Sequence, residues 1–327
     1  MALQEAPTAA RANAPYFRPR RFTHANVFVS SLERSMTFYR NVIGLEEAWR
    51  RENIRAGFLN NGNTHHDVGM VDLDNPQFKD KKPGLFHLAF ELENQVDLVE
   101  GYRRGLAGGM NIKYSYDHEI SQSIYTADPD GNMVEIYADT EWRWWEDRYL
   151  NRPAHQMPNR NWKPGDTPPL RAINYDPHPV FKRVEEAVFH PLKITNICLV
   201  ADKYEAMIDY YANHVGLTVK LGGRHDRFVV FGGTCGGRDV ALFRAGAKRP
   251  VGFHHMGFVV ASEADLDAAV KRLAAAGVTK LADIDHPSRR TVVITDPDGL
   301  RAQFSVERSG PLGDTAKIDD ERLIYLV

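Results

Sequence analysis

The stretch His118–Glu135, HEISQSIYTADPDGNMVE, decides how this chain folds. At its centre Asp128-Pro129-Asp130-Gly131 is turn chemistry, because proline presets the backbone angle of the first central position and glycine accepts the strained one. Two strands therefore meet there as a β-hairpin, with Tyr125 roughly opposite Glu135 across the turn. Alternation along the second strand sends Val134 and Ile136 to one face and Met133, Glu135 and Tyr137 to the other. Glu135 thus points away from the apolar core. A lone strand carboxylate is ordinarily a solvated surface group, so its meaning depends on what other strands present beside it.

Working outward, the chain repeats itself. His24 to Leu45 aligns without gaps on Asn196 to Leu217: a strand, a helix, an aromatic pair (Phe38-Tyr39 and Tyr210-Tyr211), then Gly-Leu. In the first copy Leu32, Met36, Tyr39 and Ile43 recur at helical spacing, and Ser31 is placed to cap the helix start. Phe86-His87-Leu88-Ala89-Phe90 matches His254-His255-Met256-Gly257-Phe258, and a polar-capped helical segment follows each, Gln95 to Leu106 and Ser262 to Ala276. An Asp-Pro-Asp-Gly hairpin closes both copies. Because strand, helix and short strands occur twice before each closing hairpin, the expected fold is α+β: four βαβββ modules paired into two domains with curved mixed β-sheets. The expected boundaries are an N-terminal arm over 1–21, a first domain over 22–140, a connector over 141–190, a second domain over 191–310 and a tail over 311–327. Trp142, Trp144, Trp145 and Trp162 make the connector more than a plain linker. They are expected to pack across domains or subunits, or to line a substrate entrance.

Composition bounds the function. With 327 residues the chain is long for one domain and natural for two. Lys and Arg number 41 against 43 Asp and Glu, a formal charge of −2, so neither nucleic acid nor an anionic membrane is an expected partner and a small ligand is. No apolar run approaches the ~20 residues of a membrane span, and Met1 to Arg21 lacks the apolar core of a signal peptide. Cys198 and Cys235 are too few and too scattered for a disulfide framework or a thiolate metal site, which favours a reducing cytoplasm. Gly232-Gly233 and Gly236-Gly237 match neither a dinucleotide fingerprint nor a P-loop.

The polar faces of the first copy converge. Ala25, Val27 and Val29 form the apolar face of the opening strand, with His24 on the other. Leu88, Phe90 and Leu92 do the same on a later strand, with His87 opposite, and Glu135 follows the same rule. One strand histidine is more often an ordinary hydrogen-bonded residue. Two imidazoles and a carboxylate at matched positions on three strands are what a facial metal triad requires, and that donor set suits Fe(II) or Mn(II).

The arrangement resembles the vicinal oxygen chelate superfamily (glyoxalase, bleomycin resistance, extradiol dioxygenase), and within it the two-domain type I extradiol catechol dioxygenases, over about residues 22 to 140. Three further matches carry the resemblance: His66 in Thr64-His65-His66-Asp67-Val68-Gly69-Met70, His118 in Asp117-His118-Glu119-Ile120-Ser121, and Tyr125 before the turn. It implies His24, His87 and Glu135 as ligands of Fe(II), with Mn(II) the alternative. It implies His66 as the acid/base beside oxygen, with His65 the weaker claimant, and Tyr125 and His118 as donors toward the substrate oxygens. The implied reaction is ring cleavage of a catechol by dioxygen beside the diol, giving a muconic semialdehyde, in a homo-oligomer.

The second copy keeps the frame and loses the chemistry. Asn196 stands where His24 does, Gln303 where Glu135 does, Arg238 where His66 does and Val293 where Tyr125 does, while His255 and His286 persist. Neutral carbonyl donors do not supply the charge an Fe(II) site wants, so a single metal is expected, in the first copy. The better-known extradiol enzymes place theirs in the C-terminal domain, and this chain is similar to the subgroup with the site in the N-terminal half. Two other functions share the fold. A glyoxalase-type isomerase or epimerase needs no oxygen site and no use for His66, His118 and Tyr125; a bleomycin-resistance-like protein binds ligand without catalysis. Arg104, Arg238 and Arg301 are candidates to meet a substrate carboxylate.

Overall fold

The computed structural model describes residues 14–141, 159–246 and 249–327. Strands β1 (Arg21–Val29), β2 (Glu46–Arg51), β3 (Ala56–Asn60), β4 (Val68–Asp72), β5 (Gly84–Glu91), β6 (Ile112–Asp117), β7 (Ser121–Ala127), β8 (Met133–Asp139) and β9 (Arg160–Asn161) form one open sheet in the order β2-β3-β4-β1-β5-β8-β7-β6-β9. A second sheet repeats the pattern with β10 (Pro191–Ala201), β11 (Thr218–Gly222), β12 (Phe228–Gly232), β13 (Val240–Arg244), β14 (Gly252–Val260), β15 (Lys280–His286), β16 (Arg289–Thr295) and β17 (Arg301–Glu307). Its order is β11-β12-β13-β10-β14-β17-β16-β15. In each sheet the first strand of one module runs antiparallel to the first strand of the next (β1 with β5, β10 with β14), while closing strands return parallel (β5 with β8, β14 with β17). That is the α+β, module-doubled architecture the repeats predict.

Helices α1 (Leu32–Phe38), α2 (Gln95–Ala107), α3 (Tyr204–Asp209) and α4 (Glu263–Leu273) pack against the sheets. Asn94 and Ser262 cap α2 and α4 by accepting from Asp97 N and Asp265 N. Ser31 makes no such bond; the start of α1 is served instead by Asp72, whose Oδ2 accepts from Leu32 N at 3.0 Å. The apolar repeat that runs on to Ile43 is real, but the chain widens into a π turn over Tyr39–Ile43 and ends at Gly44 with φ 91°, a left-handed angle glycine adopts freely.

The apolar faces pack inward as alternation requires: Ala25, Val27 and Val29 of β1 and Val134 and Ile136 of β8 are fully buried in one core that continues into the second sheet. The segment expected to be a tail is part of the structure. After α5 (Asp320–Leu323) the residues Leu323–Val327 are buried against Cys198, Phe228 and Phe243 of the second sheet. Of the connector tryptophans, Trp142, Trp144 and Trp145 lie outside the described residues. Trp162 packs against the first core beside β9, which adds an edge strand to β6.

Candidate metal centre

Register builds the site. His24 on β1 pairs with Ala89 on β5, Ala89 with Glu135 on β8, and Glu135 with Tyr125 on β7, a row perpendicular to the strands. The methyl of Ala89 leaves room between the two larger side chains. His87 lies two residues from Ala89 and so on the same face. A register irregularity between Asn26 and Val27 leaves Phe86 unpaired, and its ring sits 4.9 Å from that of His87, both facing the pocket.

The structure brings His24, His87 and Glu135 together, with candidate ligand atoms within 4.8 Å of one another and all three residues buried. His24 Nε2 and His87 Nε2 each stand 3.0 Å from Glu135 Oε2. The His87 contact lacks the direction of a hydrogen bond, so both ring nitrogens of His87 are buried without a partner. Two imidazoles aimed at one carboxylate oxygen, one of them unable to donate to it, is an arrangement a cation between them satisfies. Burial pulls the His24 imidazole down to about 4, against the opposing effect of Glu135. Burial would raise the Glu135 carboxyl, but its contacts to His24 and His87 prevail and hold it well below the usual range. His24 is thus a neutral imidazole and Glu135 an ionised carboxylate, the forms that bind a metal. Behind His24, Thr23 Oγ1 lies 3.4 Å from Nδ1 and accepts from Tyr137 Oη at 3.0 Å, fixing the ring from outside. Nitrogen and carboxylate donors without thiolate fit Fe(II) or Mn(II).

The remaining predicted residues line the same pocket. His66 packs against His24 with ring centroids 4.0 Å apart and planes tilted by 36°, and its Nε2 contacts Asn26 Oδ1 at 3.0 Å while Nδ1 is buried and unpartnered. Burial, then the nearby His24, holds His66 well below its ordinary value. His65 also borders the pocket but turns toward Asp139, with Nδ1 3.5 Å from Oδ1. His118 Nε2 and Tyr125 Oη are 3.2 Å apart, and burial followed by the Glu135 charge raises the Tyr125 phenol well above its ordinary value, keeping it a donor.

Sequence reading missed Asn26, Trp49, Phe58 and Phe86. Asn26 was findable, two residues from His24 on the same face; Phe86 was not, since the strand irregularity that turns it inward leaves no sequence mark. None of the candidate arginines Arg104, Arg238 and Arg301 borders this pocket, and Arg51 does. Arg104 instead donates to Tyr16 O.

In the second sheet the equivalent row runs Asn196, Gly257, Gln303, Val293. Gln303 Nε2 is committed to Thr291 Oγ1 at 2.9 Å and Tyr325 O at 2.6 Å. His254 and His255 bond each other through their Nδ1 atoms at 2.8 Å, with the Tyr325 ring about them.

Fold and site together define a protein of one superfamily. The sequence profile of the Glyoxalase/Bleomycin resistance protein/Dioxygenase superfamily matches residues 21–136 and 193–304, and the chain belongs to that superfamily. Among its relatives, a catechol-2,3-dioxygenase of Bacillus subtilis is 32% identical over 127 residues, 38% of this chain and 43% of the relative. A biphenyl-2,3-diol 1,2-dioxygenase of Rhodococcus globerulus is 29% identical over 122 residues, 36% of this chain and 63% of the relative. These alignments therefore span about half the length of the relatives. Of solved structures, the 2,3-dioxygenase LapB from Pseudomonas sp. KL28 superposes with a TM-score of 0.66 at 17% identity, covering 91% of this chain and 96% of that one. The Mn(II)-bound glyoxalase from Novosphingobium aromaticivorans gives 0.63 at 16% identity, covering 90% and 84%.

Proposed function

We propose that the protein is an Fe(II)-dependent extradiol dioxygenase that opens a catechol ring beside the diol, using one metal held by His24, His87 and Glu135. The single observation that carries this is the placing of His66, His118 and Tyr125 around that triad in one aromatic-walled pocket. The relatives named as catechol and biphenyldiol dioxygenases support it. Fe(II), held there by His24, His87 and Glu135, would supply Lewis acidity toward the catechol and a path for electrons from catechol to dioxygen. The chain's own groups do the rest. Trp49, Phe58 and Phe86 enclose the ring and exclude water. Tyr125, kept protonated, donates a hydrogen bond toward a substrate oxygen, and His118 orients its hydroxyl. His66, neutral and with Nδ1 unpartnered, accepts a proton from the substrate side and returns it later; Asn26 fixes which nitrogen is free.

The test is anaerobic iron loading followed by oxygen-electrode assays over a panel of catechols. One dioxygen consumed per catechol, with a yellow semialdehyde as product, is the expected result. Metal analysis alongside should find about one iron per wild-type chain, near-complete loss in Glu135→Ala and wild-type content in Gln303→Ala. Substrate isomerised without oxygen uptake would replace this reading with the glyoxalase-type reaction, and iron retained by Glu135→Ala would overturn the ligand set.

A further inference from the structure

Arg50 and Arg51 are neighbours on β2 and meet opposite fates. Arg50 points outward and is paired: its Nε lies 2.7 Å from Glu47 Oε1, and Glu33 completes the cluster. Arg51 shares a face with Trp49, two residues before it, and both side chains line the metal-site pocket. Among the described residues Arg51 is the one lysine or arginine in that lining. Its Nη1 donates to the neutral Asn159 Oδ1 at 2.8 Å, while Nε is buried with no partner. Burial holds the guanidinium below its ordinary value, and the Tyr125 hydroxyl is the acidic group that opposes this. No carboxylate among the described residues offsets the charge, because Glu135 is committed to His24 and His87.

A half-buried guanidinium without a counter-ion is costly, and the cost is recovered when an anion enters. Arginine's planar fork matches a carboxylate, which takes two parallel hydrogen bonds, here with the vacant Nε as one donor. The surrounding wall, Trp49, Ile54, Phe58 and Phe86, suits an aromatic ring and offers no other permanent charge. We infer that Arg51 forms a carboxylate subsite, so that the substrate is a catechol bearing a carboxylate on the ring or on a short side chain. The inference rests on the extradiol reading of the site and adds the substrate class to it.

The test compares each carboxylated catechol with its own methyl ester, a neutral molecule of nearly the same shape. Dissociation constants are measured anaerobically on the iron-loaded protein, and kcat/KM is measured in air, with dihydroxyphenylacetate, dihydroxyphenylpropionate and dihydroxybenzoate as acids. Wild type should favour at least one acid over its ester by roughly 10- to 100-fold, the range of a charge-assisted hydrogen-bonded pair. Arg51→Met should bring that ratio to about one, and Arg51→Lys should restore part of it, since charge remains and the fork does not. Arg51→Glu should invert the preference toward an aminoethyl catechol. Wild type that binds every ester as tightly as its acid overturns the subsite, as does an acid-to-ester ratio that survives in Arg51→Met. Absence of oxygen-dependent cleavage with every catechol would instead overturn the extradiol reading, while the binding ratios would still report on Arg51.

Discussion

His66 and His65 are adjacent in sequence and face different side chains. Asn26 holds His66 Nε2 and leaves its Nδ1 buried without a partner, whereas His65 faces Asp139, whose carboxyl burial lifts to about 6 despite that contact. The sequence named His66 by resemblance, and the neighbours that distinguish the two lie 40 and 74 residues away, which no local pattern could specify. If His66 handles protons and does not hold the metal, His66→Asn keeps wild-type iron content and catechol affinity while turnover falls ~10²–10⁴-fold, the usual loss on removing a positioned acid/base. Iron analysis, anaerobic catechol titration and oxygen uptake on this one variant check it. Iron lost in proportion to activity would make His66 a ligand, and unimpaired turnover would remove its role.

At the scale of elements, strand alternation made half the site legible. His24, His87 and Glu135 could each be assigned to a polar face from the apolar residues beside them. Alternation could not show that the three strands bring those faces into register, nor that Ala89 stands between His24 and Glu135 in the row. Ala89 is fully buried on the site face, and a larger side chain there has to push its two neighbours apart. Ala89→Leu is therefore expected to lower metal affinity roughly 10- to 100-fold, the scale seen when support around a ligand is disturbed, with the far-UV circular dichroism of the sheet retained. A metal titration indistinguishable from wild type would show that the row does not set the ligand spacing. The helix start at Ser31 teaches the opposite lesson: the residue has capping chemistry, yet Asp72 from a neighbouring strand end takes the backbone donor.

Across the whole molecule the two Asp-Pro-Asp-Gly hairpins clasp the opposite copy. Asp128 Oδ2 accepts from Tyr211 Oη at 3.1 Å, and Asp296 Oδ2 from Tyr39 Oη at 3.3 Å. Asp130 accepts from Asp202 N and Lys203 N at 2.8 and 3.0 Å, while Asp298 accepts from Ser30 N at 2.9 Å and from Arg34. The hairpin that locates Glu135 is thereby also a joint between the sheets. Burial lifts the Asp128 carboxyl from 3.8 to about 6, against the bonds from Asn132 and Tyr211. In the folded protein this carboxyl keeps its proton to higher pH than in the unfolded chain. Its contribution to stability is complete below pH ~4 and is lost as pH rises through about 6, a span worth at most about 3 kcal/mol. The stability advantage of wild type over Asp128→Ala should therefore be larger at acid than at neutral pH. Denaturant melts of both proteins across that range measure it, and an advantage that grows with pH would reverse the assignment.

The sequence by itself determined the architecture and the chemical inventory. Repeats, turn residues and period-two alternation are local, and each records which face of which strand a side chain occupies. They yielded the α+β module pattern, the hairpin under Glu135, the proposed donor set His24, His87 and Glu135, and the absence of its counterpart from the second copy. Only the tertiary structure decided what depends on register and on chain segments far apart: the row through Ala89, the strand irregularity that turns Phe86 inward, Asn26 behind His66, and Arg51 in place of the arginines singled out from sequence. The burial of Leu323–Val327 against the second sheet belongs with these. Such features arise because hydrogen-bond pairing between strands fixes distances to within ångströms, whereas apolar periodicity fixes only sides.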